Sequence, residues 1–491
     1  PITQTFTYRY YKYAEISLTL LPLFLALGLY KKSKPALFYI GVGLLAWMVV
    51  LLSLSRTMFV AGSVSLVLFF GLLWIKQNRQ TYFKNSLRLL SLLVILVCLT
   101  QISFFPAQET TTLNRLALKD ESSQTSFDSR LLFWGIAIES FKQNKLLGTG
   151  ADNFALDYKN ARVSFSALNA ENKILEINED VLPERAHNEY LQILSELGAV
   201  GGGLFIWLIG GVFCLFVFTK KAHFSLLSIA SAAGIAGFLL SSSASAYSFR
   251  VPANGLCFFF LLALGAHGFS KTNRESGFDF AKLKPYFMAG GLMICAAMLI
   301  FSGLRGVSLM YLANAQKSVG TAEFEANIQK ATALDPDDGL FRFYQAGELY
   351  NQGLTAESIP HLNFAVEHGI AGSTSYFMLA TAQIRAGKNT AAEQTFTEAL
   401  RVYPRSVFLR TAFASFLRKS GKDRQSDAEN HIALSIDKKQ AQSWYLAHSE
   451  GLEKLSITAA ENKDLSEPME LRPASGAIAL RNYQLILKKN P

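Results

Sequence analysis

The spacing of charged residues most limits what this chain can fold into. Uncharged, mostly apolar runs occupy residues 35–55, 57–75, 89–108, 197–219, 222–249, 251–270 and 285–304, and a shorter one occupies 16–30. Each of the first seven suits a helix of about 20 residues crossing roughly 30 Å of hydrocarbon. Lys12 and Lys31 can snorkel from the ends of the eighth. The expected fold class is all-α, beginning with a polytopic bundle of eight transmembrane helices. Two polar blocks remain, one from Pro106 to Ala186 and one from Arg305 to the end, so a loop domain and a tail domain are expected.

The formal net charge of +10 raises the possibility of nucleic acid, and the positions of the charges answer it. Lys31, Lys32 and Lys34 lie between the first two spans, and Lys76, Arg79, Lys84 and Arg88 between the third and fourth. Lys220 and Lys221 lie between the fifth and sixth, and Lys271, Arg274, Lys282 and Lys284 between the seventh and eighth. With alternating spans all four linkers share one side, which the positive-inside rule makes cytoplasmic. Topology accounts for most of the excess charge without nucleic acid, and the large loop and the tail are expected to be extracytoplasmic. Cys98, Cys214, Cys257 and Cys295 all fall inside apolar runs and read as small hydrophobes, with no disulfide framework or metal-ligand spacing. The chain opens at Pro1 without a methionine or a signal-peptide pattern, which leads to the expectation of an N-terminally truncated bundle in residues 1–105.

The tail carries a period. Ala331, Ala365, Ala399 and Ala433 are each 34 residues apart, as are Gly353, Gly387 and Gly421, and Ala346, Ala380 and Ala414. This period, with small residues at helix crossings, resembles tetratricopeptide repeats, whose helix pairs stack into an α-solenoid. Residues 306–450 are assigned to it. The first unit slips by one residue in its first helix and is expected to cap the solenoid against the membrane, and residues 451–491 form a helical extension outside the repeat. Asp335 and Asp337 in "LDPDDG" have a spacing that some nucleotide-sugar transferases use for a metal, but here they fall in the turn between units, where Asp and Pro suit the backbone.

Some charges defy the topology. Arg56 in "LSLSRTMF" and Arg250 in "AYSFRVPAN" lie at predicted extracytoplasmic turns between apolar runs. A charge at the bilayer centre costs about 2.5–3.5 kcal/mol on insertion scales, so both belong at the interface or on a polar cavity. The loop, residues 106–190, contains "DSRLLFWGIAIESF", whose apolar residues recur at imperfect helical spacing and predict an amphipathic helix lying on the membrane, with Arg130 near its start. Gly148 and Gly150 follow in "GTGADNF", a weak nucleotide signal without a preceding strand. The polar stretch from Tyr158 to Pro183 reads as a mobile lid leading to His187. Behind it, Leu191, Leu194 and Leu197 give a helix an apolar seam, placing His187 near a helix N-terminus. Unpaired amides there disfavour an imidazolium, leaving either a neutral base or a capping residue.

Three segments carry a family resemblance: "SRTMFVAG", "RLLFWGIAIESFKQNKLLGTGADNF" and "AHNEYLQILSELGAVGG". Their order and setting resemble the O-antigen ligase superfamily, which includes O-antigen polymerases and protein O-oligosaccharyltransferases, over about residues 8–269. The resemblance implies an integral transferase of the bacterial inner membrane. Such an enzyme moves a glycan from undecaprenyl pyrophosphate, on the periplasmic side, to an acceptor hydroxyl, with no nucleotide sugar, metal or other cofactor. It maps pyrophosphate-binding arginines onto Arg56 and Arg130 and the base onto His187. Arg250 joins them from topology alone, with Asn188 and Ser55 in support.

That assignment suits the residue types. Pyrophosphate needs cations on its developing charge, which guanidinium supplies bidentately, and an acceptor hydroxyl needs a positioned base. The acceptor stays open among lipid A core, a growing glycan and a protein. A transporter or a membrane-anchored repeat scaffold also stays open. For the transferase, the concave face of the repeats is expected to recruit an acceptor or a protein partner.

Overall fold

The structure is a computed structural model that describes residues 2–30, 34–76, 79–101, 121–176, 183, 185–218, 225–245, 248–270 and 284–449. The linker charges at Lys31, Lys32, Lys220, Lys221, Lys271, Arg274 and Lys282, loop residues 102–120 and the extension 451–491 lie outside them.

The apolar runs form helices, as their length requires. α1 (Ile2–Tyr30), α2 (Lys34–Leu52), α3 (Arg56–Lys76), α4 (Arg79–Gln101) and α7 (Glu189–Phe218) are each long and apolar enough to cross a membrane. α8 (Leu226–Ser242) and α9 (Pro252–Ser270) carry shorter apolar stretches. Between them lie two loop helices, α5 (Glu121–Gln143) and α6 (Phe154–Leu168). The last apolar run is the first half of α10 (Lys284–Lys317), a 34-residue helix about 51 Å long at 1.5 Å per residue. Its C-terminal half packs on the first repeat helix, so one continuous rod carries the chain from its last apolar run into the tail.

The tail is the expected solenoid. α11 (Ala322–Leu334) is followed by α12 (Gly339–Asn351), α13 (Thr355–Glu367), α14 (Ser373–Arg385), α15 (Asn389–Val402), α16 (Val407–Lys419), α17 (Asp423–Ile436) and α18 (Lys438–Ser449). The starts of α12, α14 and α16, and of α13, α15 and α17, keep the 34-residue period. Gly353, Gly387 and Gly421 take left-handed φ of 80°, 71° and 72° in the turn within each pair. Gly320, at 82°, stands one residue out of phase, which is the slip read in the first unit. "LDPDDG" is a turn and a cap: Asp338 Oδ1 accepts from Leu340 N at 2.8 Å, and Asp335 and Asp338 both pair with Arg305.

The glycines of "GTGADNF" permit close backbone contact. α7 breaks at Gly198 (φ 63°, ψ −163°), and the segment after α5 is inserted at the break. Thr149 N and Gly150 N donate to the carbonyls of Ser195 and Glu196 at 3.1 and 2.8 Å, and Ala199 N donates to Lys145 O at 2.7 Å. A Cβ on Gly148 would lie 2.3 Å from the Glu196 carbonyl, and one on Gly198 would lie 2.3 Å from Leu146 O. Only glycine allows the two backbones to meet this closely.

Two expectations for the loop change. α5 was expected to rest on the membrane, but its Leu132, Phe133, Ile136 and Ala137 are buried in one core with α6 and with Leu312, Phe324, Phe341 and Leu362 of α10 and the repeats. The apolar face found a protein partner far along the chain. Residues 158–176, read as a lid, form most of α6 and a short 3-10 turn, Lys173–Glu176, packed against the solenoid. Lys159 pairs with Glu398 at 2.9 Å and Arg405 with Glu176 at 2.6 Å, so the charges that suggested solvent meet partners on the repeats. Residues 177–182 of that stretch lie outside the described residues. A shared core also requires loop and repeats to stand on one side of the bundle.

Candidate active site

The site is built along α5. Arg130, Phe133 and Trp134 stand at i, i+3 and i+4, the spacing that puts side chains on one helical face. The His187 ring stacks on Phe133 with centroids 6.0 Å apart and planes 24° apart, and Trp134 Nε1 donates to the His187 carbonyl at 3.4 Å. The face of α5 that touches the half-buried His187 thus also carries Arg130, one turn earlier.

His187 holds a left-handed backbone, φ 54°, which a residue with a Cβ keeps only when its surroundings impose it. Those surroundings can be named. Ala186 N donates to Gln192 Oε1 at 3.0 Å on one side. On the other, Asn188 Oδ1 accepts from Tyr190 N and Leu191 N at 3.0 and 3.1 Å. Asn188 is therefore the N-cap of α7, and His187 is displayed just ahead of it, outside the helix.

Arg56 opens α3 after a second strained residue, Leu54, with φ 52°. Ser55 serves this helix start: its carbonyl accepts from Phe59 N at 3.0 Å and its Oγ from Met58 N at 3.4 Å. Arg56 and Arg130 are close enough to repel. Burial first, and then the Arg56 charge, hold the Arg130 pKa below the usual arginine range. Among the described residues no carboxylate pairs with Arg130. Guanidinium is the side chain suited to gripping an anion with more than one negative oxygen.

Arg250 has carboxylate partners of its own, one of them two residues beyond His187. Its guanidinium pairs with Asp152 at 2.7 Å, with Glu189 at 3.5 Å and with Glu196. Burial works against its charge, but Glu196, Glu189 and Asp152 outweigh that and raise its pKa. Glu196 also accepts from Asp152 N at 3.0 Å and from Gln192 Nε2 at 2.7 Å. Arg250 thus clasps the inserted loop to the first turns of α7.

Sequence reasoning missed a second polar centre, inside the bundle. Glu15 of α1 is 1% exposed and accepts from Ser241 Oγ at 2.6 Å, Asn254 Nδ2 at 2.7 Å, Ser245 Oγ at 3.4 Å and Ser248 Oγ. The serine-rich stretch before Arg250 is its cradle. A single acid at the start of an apolar run, with hydroxyls clustered in another, was the available signal.

A polytopic membrane bundle that presents two neighbouring arginines and a displayed histidine under a loop-and-repeat cover is the class this fold and site define. Residues 41–206 match the family model described as O-antigen ligase, so the chain carries an O-antigen ligase family domain. At that level it is a glycosyltransferase-like membrane protein. The match contains Arg56, Arg130 and His187 and leaves Glu15, Arg250 and the repeats outside. The comparison with curated proteins returned no relative. Among solved structures, the crystal structure of the APC/C hetero-tetramer Cut9–Hcn1 aligns at 14% identity over 84% of this chain and 73% of that one. Its TM-score is 0.27, too loose a likeness to bear on the fold.

Proposed function

We propose that this protein transfers a glycan from undecaprenyl pyrophosphate to an acceptor hydroxyl on the outer face of the bacterial cytoplasmic membrane. The observation that carries the reading is the closeness of Arg56 to Arg130, whose pKa the Arg56 charge lowers, with His187 against the same face of α5 that carries Arg130. In the reaction the acceptor oxygen bonds to the anomeric carbon as its proton passes to the His187 ring. The bond from that carbon to the phosphate oxygen breaks, and its electron pair leaves on the lipid pyrophosphate. The two guanidiniums stabilise this charge as it develops, the moment at which fixed cations lower a barrier most. Asn188 and Ser55 support the site by capping the helix starts that display His187 and Arg56. Arg250 holds the inserted loop in place.

The acceptor is a hydroxyl of a glycan, a lipid A core or a protein, brought in from the side of the repeats. A groove of about 870 Å³ lies between the loop helices and α15, lined by Gln143, Asn160 and Ser164 on one wall and Gln394, Thr397 and Arg401 on the other. Its amide, hydroxyl and guanidinium groups suit a polar acceptor or a partner that delivers one.

Purified protein given a labelled undecaprenyl pyrophosphate glycan and a lipid A core fraction is expected to release the carrier and label the acceptor. Carrier that stays bound to its glycan with every acceptor class tested would refute the transferase reading. Sidedness has its own check. In a cysteine-free background, Lys388→Cys on the repeats should react with an impermeant maleimide in spheroplasts, and position 220 only after lysis. The reverse pattern would overturn the orientation.

A further inference from the structure

Arg162 of α6 is the largest fully buried side chain among the described residues, and it has no part in the reaction as written. Its Nε donates to Val402 O at 3.2 Å, its Nη2 to Leu175 O at 3.2 Å and its Nη1 to Tyr158 Oη at 2.8 Å. Its Cζ lies 4.4 Å from the centroid of the Tyr403 ring. Val402 is the last residue of α15, where a carbonyl lacks an intrahelical partner and a cation is favoured by the helix dipole. Tyr403 is itself fixed, its hydroxyl donating to Ala371 O at 2.8 Å. The guanidinium therefore ties α6 to the end of one repeat and the turn before the next.

The same contacts continue toward His187. Tyr158, one turn before Arg162 on α6, meets Phe133 edge-on with centroids 6.3 Å apart and planes at 71°. Phe133 in turn stacks on the His187 ring. Burial, opposed by Arg162, raises the Tyr158 pKa and keeps its phenol protonated. From Val402 to His187 the path is continuous: repeat carbonyl, guanidinium, phenol, phenyl ring, imidazole. Its last member has a backbone that depends on its neighbours to stay left-handed.

We propose that Arg162 is a positioning residue for the reaction, setting the His187 ring through Tyr158 and Phe133, so that the repeats form the back wall of the active site. The inference rests on reading His187 as the base. It gives the solenoid a role in the chemical step in addition to any role in capture. The competing account makes Arg162 a docking bolt whose loss affects stability and leaves the turnover of folded protein unchanged.

The test uses the full chain. Arg162→Lys keeps the charge but gathers its donors on one nitrogen, which cannot span the oxygens that Nε, Nη1 and Nη2 reach separately, and Tyr158→Phe removes only the accepting hydroxyl. Both are expected to lower kcat by about tenfold or more, since a displacement of order 1 Å outside the chemistry can cost up to about a hundredfold. The KM for donor should stay within about twofold, because Arg56 and Arg130 are untouched. Arg405→Ala, which breaks the nearby pair with Glu176 outside the groove, should turn over like wild type.

Arg162→Lys combined with Phe133→Leu should lower kcat by less than the product of the single effects, since residues on one line of contacts are not independent. Wild-type kcat in folded Arg162→Lys and Tyr158→Phe, or strictly multiplicative effects in the double variant, would overturn the proposal. If Arg162→Lys does not fold, Tyr158→Phe decides. An inactive His187→Ala beside fully active Arg162 and Tyr158 variants defeats this inference alone. An active His187→Ala defeats the base assignment, and this inference with it.

Discussion

His187→Asn is expected to insert and fold like wild type and to lose glycan transfer by about a hundredfold to ten-thousandfold, the usual worth of a positioned general base. Asparagine is the informative replacement. His187 sits at φ 54°, where asparagine is at ease and alanine incurs about 1–2 kcal/mol of strain. His187→Ala removes the base and burdens the backbone together, so its loss of activity has two explanations. His187→Asn removes the base alone. Arg130→Ala belongs in the same experiment, with an expected fall in kcat/KM of about a hundredfold to a thousandfold. Arg130→Lys should recover part of it, because an ammonium supplies charge without the planar fork. Steady-state transfer with a saturating acceptor reads these effects. If His187→Asn keeps near wild-type turnover, the histidine is a spacer ahead of the Asn188 cap and the base lies elsewhere.

What the sequence disclosed follows from how local each signal is. A span is a property of about 20 consecutive residues and a repeat of 34, so bundle and solenoid were legible without any contact being known. The helix start just after His187 was legible because Asn188 and the leucine seam that define it are local. The polar chain after Tyr158 was misread for the converse reason. Lys159, Glu176 and Arg162 look solvated until Glu398, Arg405 and Val402 are placed beside them, and those lie more than 220 residues away. "GTGADNF" gave only a weak nucleotide signal, and its glycines instead approach the backbone of α7. A glycine signals close approach without naming what approaches. Glu15 was passed over as the polar edge of a first span, since its donors come from α8, the turn after it and α9.

Deleting residues 319–491 is expected to abolish both glycan transfer and donor hydrolysis, a stronger effect than a recruitment module would give. Had the repeats only captured an acceptor, their removal would spare slow transfer to a small soluble one. The shared core argues otherwise. Leu132, Phe133, Ile136 and Phe154 are each at most 4% exposed, in one cluster with Phe324, Phe341 and Leu362. Returning four such side chains to water at about 1.5–3 kcal/mol each costs roughly 6–12 kcal/mol. A whole domain is typically stable by only about 5–15 kcal/mol. The loop cannot keep its fold after that loss, and α5 carries Arg130 together with Phe133 and Trp134, which touch His187. The membrane helices, packed in a separate cluster around α1, α2, α3, α4 and α8, should still insert. The check is a truncated chain recovered from the membrane at normal level, assayed for acceptor labelling and for release of free glycan. Normal insertion with retained slow transfer would show that loop and repeats fold independently and would return the solenoid to a recruiting role.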